Sequence, residues 1–166
     1  VESIRFTNSG TEGTMNAVRL ARAHTGKDKV LKMEGAYHGT HDTVLVSVMP
    51  DVEEEDRTKP MLDSLGIPNS ILGDILVSPY NDAEALEQQV ENNRDELAAV
   101  IMDPVMYHAG ITEPSKGLLK YLRKLTAEGE ILLIMDEVIA FRLSKGGAQS
   151  KYDLKPDITA LGKFIG

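Results

Sequence analysis

The sequence contains no cysteine. That removes disulfides, thiolate metal sites and cysteine nucleophiles together, and it fits a reducing, cytoplasmic compartment. No apolar run approaches the ~20 residues a membrane-spanning helix needs. Internal repeats and low-complexity tracts are absent as well. Positive charge is the minority: 18 basic residues face 26 acidic ones, for a formal net charge of -8. This balance argues against binding nucleic acid or another polyanion through the general surface. A single phosphate stays compatible with it, because backbone N–H groups alone can hold one. An initiator methionine is also lacking. The chain opens on Val1 and stops at Gly166 directly after an apolar stretch, so the expectation is that both ends continue and that this is the middle of something larger.

What is present suits an ordinary folded domain. Apolar residues make up 42% and charged residues 27% of 166 positions, enough for one core and short for two. Short apolar segments alternate with amphipathic ones. Strands are expected at 4–7, 29–33, 74–78, 98–102, 131–135 and 157–161. Helices are expected at 11–24, stopped by Gly26, at 82–93 with Asn81-Asp82 as capping material, and at 115–127 capped by Ser115 and ended near Gly129. A short helix or turn is expected at 41–46. Residues 50–73 carry a charge run at 51–59 and then Pro60, Gly66, Pro68 and Gly73, which is loop chemistry. The segments at 98–102 and 131–135 are almost wholly apolar, as in strands covered on both faces. The expected fold class is α/β, with a mostly parallel open sheet flanked by helices.

In such sheets ligands bind beyond the carboxyl ends of the strands, so the informative residues are those that follow each apolar run. Ser9-Gly10-Thr11-Glu12 joins a strand to a helix. Gly10 permits close approach of the backbone, and the free N–H groups of the first turn suit a phosphate. An ordinary capped helix with Glu12 in its first turn explains the same residues. Asp136-Glu137 follows the most apolar strand, where a carboxylate is costly to desolvate unless it meets a cation or several donors. Its uses there are a metal, a ribose hydroxyl, a protonated ring nitrogen, or a second helix cap. Metal is less attractive, since no histidine or second carboxylate has ligand spacing beside it. Lys163 lies in the apolar run 160–165, and burial would lower its pKa toward that of a nucleophilic amine. A Gly-x-Gly-x-x-Gly fingerprint is missing after the first strand, which ranks a dinucleotide-binding fold last.

Ser9-Gly10-Thr11-Glu12, Tyr37-His38-Gly39, Asp136-Glu137-Val138 and Leu161-Gly162-Lys163, in this order and spacing, resemble class III pyridoxal-phosphate (PLP) dependent aminotransferases. Asn8, Gly146-Gly147-Ala148-Gln149 and Pro156-Asp157-Ile158-Thr159 draw the resemblance toward glutamate-1-semialdehyde 2,1-aminomutases and related β-amino-acid aminotransferases. It covers essentially all 166 residues. It implies that residues 1–166 are a single, partial PLP-binding large domain of a fold-type I transferase. Gly10 and Thr11, supported by Ser9, would hold the cofactor phosphate. Tyr37, followed by His38, would lie on one face of the pyridine ring and Val138 on the other. Asp136 would pair with the ring nitrogen, and Lys163 would be the Schiff-base lysine that later moves the proton.

Two positions depart from the family pattern. Asp103 precedes Pro104 where the family has Glu, and His108 stands where aminomutase-like members have Asn near the cofactor's phenolic oxygen; a histidine there can still donate a hydrogen bond, and it titrates near neutral pH. The segment 139–143 is one residue shorter than in typical aminomutases, which leans toward the β-amino-acid branch. The implied partners are small amino and keto substrates and a second copy of the chain, with no nucleic acid and no membrane. The contrasting reading is an inactive α/β module that binds a phosphate compound or a partner chain.

Overall fold

The computed structural model describes residues 2–49 and 53–163. Its frame is a five-stranded sheet in the order β2-β1-β3-β4-β5, every neighbouring pair parallel. The strands are β1 (Lys29–Met33), β2 (Ile75–Ser78), β3 (Leu97–Met102), β4 (Leu132–Asp136) and β5 (Ile158–Ala160). The helices are α1 (Gly10–Thr25), α2 (Ala83–Asn92), α3 (Leu118–Glu128) and α4 (Gly147–Lys151). Two 3-10 turns, Asn69–Gly73 and Ala140–Leu143, complete the order. No described helix is long and apolar enough to cross a membrane.

The apolar runs become strands because both faces of the sheet are covered. Successive strand residues point to opposite sides. Leu31 and Met33 of β1, Val100 and Met102 of β3, and Leu133 and Met135 of β4 meet α2 and α3 through Leu86, Val90, Leu118, Leu122 and Leu125. The alternate residues Val30, Ala99, Ile101 and Ile134 meet α1 through Ala17, Val18 and Ala21. All six residues of β3 are buried, as its lack of polar alternation requires. The chain runs outward from β1 to β2, then returns to place β3 on the other side of β1. This reversal opens a crevice at the carboxyl ends of the central strands.

Most expected elements form within a residue or two of their expected bounds, with three differences. Residues 4–7 are not a strand: they are exposed and irregular, with Phe6 93% exposed, and no described strand lies beside them to pair with. Ser115 does not cap α3. That helix begins at Leu118 behind Gly117, whose φ of 89° ends the preceding loop, and the Ser115 N–H donates to Asn81 Oδ1 (2.7 Å). Residues 41–46 take the turn of the two expected forms. The short α4 was not legible, because its Gly-rich start carries no amphipathic period. Asp82 does cap α2, accepting from the Ala85 N–H at 3.0 Å. Asp51 and Val52 of the charge run lie outside the described residues; the described remainder, 53–73, is mostly loop, tied to Val46 by an isolated bridge at Leu62.

Gly39 sets how closely the loop after β1 meets the start of α1. Its φ is 107°, and a Cβ there would stand 2.8 Å from the Thr11 Cα. Both constraints act against any L side chain. Gly39→Ala is therefore expected to destabilise the fold by about 1–3 kcal/mol in chemical denaturation; an unchanged midpoint would show that the loop and helix are not in this contact.

Candidate active site

The carboxyl ends of β1, β3, β4 and β5 bring the expected site residues to one end of the sheet. The first turn of α1 is a capping box. Ser9 Oγ accepts from the Glu12 N–H (3.1 Å), and the Glu12 carboxylate accepts from the Asn8 N–H (2.6 Å). The ordinary capped-helix explanation thus holds for Ser9 and Glu12, and it coexists with an N-terminus whose dipole favours an anion. Gly10 is needed for packing: a Cβ on it would lie 3.1 Å from a methyl of Val138. Gly162 meets Val138 in the same way, also at 3.1 Å. Two glycines on separate elements thus seat one half-buried valine at the start of α1. Thr11 Oγ1 accepts from the Thr40 N–H at 3.4 Å.

Asp136, the last residue of β4, is 4% exposed. Its oxygens are divided between two donors. Oδ1 accepts from the Val138 N–H (3.0 Å) and Oδ2 from His38 Nδ1 (2.9 Å). His38 follows β1 and is itself buried; its carbonyl accepts the Thr14 hydroxyl of α1 at 2.5 Å. Burial pushes the His38 imidazole below its usual range against the pull of Asp136, which favours a neutral ring with its proton on Nδ1. Asp103, beyond β3, puts Oδ1 3.8 Å from the same nitrogen. Beside Asp136 in sequence no histidine or second carboxylate has ligand spacing, but in the fold three parallel strands bring ligand atoms of the expected site residues His38, Asp103 and Asp136 within 4.8 Å of one another. The His38–Asp136 spacing is that of a hydrogen bond, and Nδ1 is engaged in it.

Glu137 has a different job from its neighbour. Its carboxylate accepts from the N–H groups of Ala148 (2.6 Å) and Gln149 (2.9 Å), so it caps α4. The helix-cap explanation thus belongs to Glu137, while Asp136 turns to His38 and the Val138 N–H, since adjacent side chains at a strand end point opposite ways. Tyr37 is half-buried and stacks on His108, ring centroids 4.5 Å apart and planes inclined by 18°.

Lys163 stands three residues past β5, whose Ala160 is in register with Asp136. Both residues therefore leave adjacent strands at the same end. The expected burial of Lys163 is corrected: it is exposed, with a φ of 53°. Of its apolar neighbours in sequence, Ala160 is buried and Leu161 half-buried, while Phe164 and Ile165 lie outside the described residues. The buried lysine is instead Lys32 in β1, which donates to the Val46 carbonyl. Sequence reading missed it inside a strand, although its even spacing from Val30 marks it as facing the α1 side. Glu34, directly after the apolar run of β1, is held by Arg57 through Nε (2.7 Å) and a second guanidinium nitrogen.

A family model described as aminotransferase class-III matches residues 1–166. The glutamate-1-semialdehyde 2,1-aminomutase of Methanosphaera stadtmanae is 47% identical over 166 residues, covering 99% of this chain and 38% of that one. Among solved structures, an omega-transaminase from Sphaerobacter thermophilus superposes with a TM-score of 0.95 at 40% identity, over 100% of this chain and 38% of that one. A glutamate-1-semialdehyde aminomutase variant from Pseudomonas aeruginosa PAO1, in complex with PMP, gives 0.81 at 28% identity over 94% and 33%. The chain thus spans 38% of the length of the curated relatives it matches.

Two outcomes follow from the buried charges. Burial pulls Lys32 from its ordinary 10.5 down to about 8. Between those values the unfolded chain binds more protons than the folded one, so the penalty for the buried ammonium is relieved as pH rises through that window. Unfolding free energies measured at both ends of the window should show this gain in the wild type and not in Lys32→Met; parallel responses would contradict it. Glu137→Ala strands two N–H groups of α4 and is expected to cost about 1–3 kcal/mol, with Glu137→Gln closer to wild type, read by thermal unfolding.

Proposed function

Since this chain belongs to the class-III aminotransferase family, we propose that the protein moves an amino group by chemistry dependent on pyridoxal 5'-phosphate. The observation that carries the reading is Asp136: a buried carboxylate at the crevice end of the sheet, held by a histidine and a backbone N–H. Such a group is expensive to bury without a cation to receive. The residues fit the cofactor. Gly10 and Gly162 let Val138 pack closely at the start of α1, beside a helix N-terminus suited to phosphate. When bound, the cofactor supplies an electron sink for the substrate carbanion.

Each residue then has a defined task. Gly10 and Thr11 bind the phosphate with Ser9 in support. Val138 would lie against one face of the ring and Tyr37, which stacks on His108, against the other. Asp136 keeps the ring nitrogen protonated, and His38 fixes the carboxylate's orientation. Asp103 lies behind this pair. Lys163 would supply the primary amine that holds the cofactor and would hold or release the proton at the reacting substrate carbon. Its exposure leaves the amine reachable. The described residues would form part of the large cofactor domain, and the working protein would be a homodimer in the cytoplasm acting on small amino and keto compounds.

Aminomutase-like transfer is the first reading, supported by identities of 47% and 49% to aminomutases of two archaea. Intermolecular transamination, including that of β-amino acids, is the second, supported by the 0.95 TM-score to an omega-transaminase and by His108 in place of Asn. Purified protein mixed with PLP should develop a visible absorption band, and borohydride reduction should leave the cofactor mass on Lys163. Lys163→Ala should lose both. A band that persists in that variant sinks the assignment.

A further inference from the structure

Asp136 and Asp103 form a carboxyl pair around one imidazole nitrogen, His38 Nδ1, at 2.9 and 3.8 Å. Two carboxylates enclosed this closely cannot both ionise without a nearby cation. Their surroundings are unequal. Asp136 has a donor on each oxygen. Among the described residues no hydrogen bond reaches Asp103, and 14% of its side chain is exposed. We propose that Asp103 is the protonated member of this pair in the chain by itself, and that it releases its proton to solvent when a cation binds at Asp136. Asp103 would then be a positioning residue, coupling cation binding to one proton. In this exchange a single O–H bond breaks at Asp103, the proton passes to solvent, and nothing is oxidised or reduced.

The other charged groups packed around Asp103 fit this role. Lys32 of β1 is the cation on the sheet side; it favours ionisation of Asp103. Burial and the Asp136 charge act the other way and outweigh it, holding the Asp103 carboxyl well above the usual carboxylate range. From the loop after β1 come Glu34, already paired to Arg57, and His38, which burial keeps neutral. Asp63 faces Lys32. Tyr80, whose hydroxyl donates to the Pro104 carbonyl at 3.3 Å, and Tyr107 both sense the Asp103 charge. His108 acts on His38. With Asp103 neutral, Lys32 and Asp136 balance; a second cation at Asp136 restores the condition under which Asp103 ionises.

The identity of that cation, a protonated pyridine nitrogen, rests on the cofactor reading above; the protonation of Asp103 does not. Infrared spectra of the cofactor-free protein, at a pH where exposed carboxyls have ionised, should contain a protonated-carboxyl band. Asp103→Asn should remove it, and Asp103→Glu should retain or shift it. An absent band, or one that survives in Asp103→Asn, overturns the inference whether or not PLP binds. With PLP as the probe, wild-type affinity relative to Asp103→Asn should rise with pH by up to about tenfold per unit, levelling off above the Asp103 titration. Calorimetry in buffers of different ionisation enthalpy should count up to one proton more released by wild type than by the Asn variant. Ratios that are flat with pH, with equal proton counts, also overturn it. Failure of wild type to bind PLP at any pH strikes the proposed function instead.

Discussion

The site depends on a carboxylate that the fold has taken out of water. Asp136 ends a strand that is buried on both faces, so its side chain is desolvated by the same packing that holds the sheet together. An unpaired ionised carboxyl in that place would cost several kcal/mol. The molecule meets the cost from two directions: the backbone turns directly after β4 to present the Val138 N–H, and the loop after β1 delivers His38. His38 in turn is placed by Gly39, which lets that loop close on Thr11, and by the Thr14 hydroxyl of α1. The polar centre and the packing of α1 against the sheet are one problem with one solution.

Much of the fold was legible because its signals are local. Near-continuous apolar runs gave β3 and β4, Gly26 stopped α1, and Asp82 began α2. The errors also have a common cause. A strand needs a neighbour, and residues 4–7 have a strand-like composition without one among the described residues. Ser115 offers a hydroxyl, but the chain spends two further residues turning before α3 can begin. Neither fact is written in a window of a few residues.

The candidate site was legible residue by residue and much less so as an arrangement. Ser9, Gly10, Tyr37, Asp136 and Lys163 stand out from their positions after apolar runs and from a family resemblance. Their grouping does not, because His38 and Asp136 are 98 positions apart and meet only through the order β1-β3-β4. For the same reason a metal-like grouping of His38, Asp103 and Asp136 was invisible beforehand. The Asp136-Glu137 pair shows the same difficulty at short range. Adjacent, chemically alike residues diverge because one faces the crevice and the other the N–H groups of α4.

The two lysines carry the argument furthest. Reasoning from neighbours assigned burial to Lys163, flanked by apolar residues, and ignored Lys32 in the middle of a strand. The structure reverses this. A residue's sequence neighbours describe its environment only where the backbone is regular, and Lys163, with its positive φ, is not in regular structure. Lys32 is in a strand, and there the face is dictated by the period of two, so its ammonium is carried inward with Val30. The fold thus holds one amine inside the sheet, where the Asp103 charge acts on it, and leaves the other exposed just past β5.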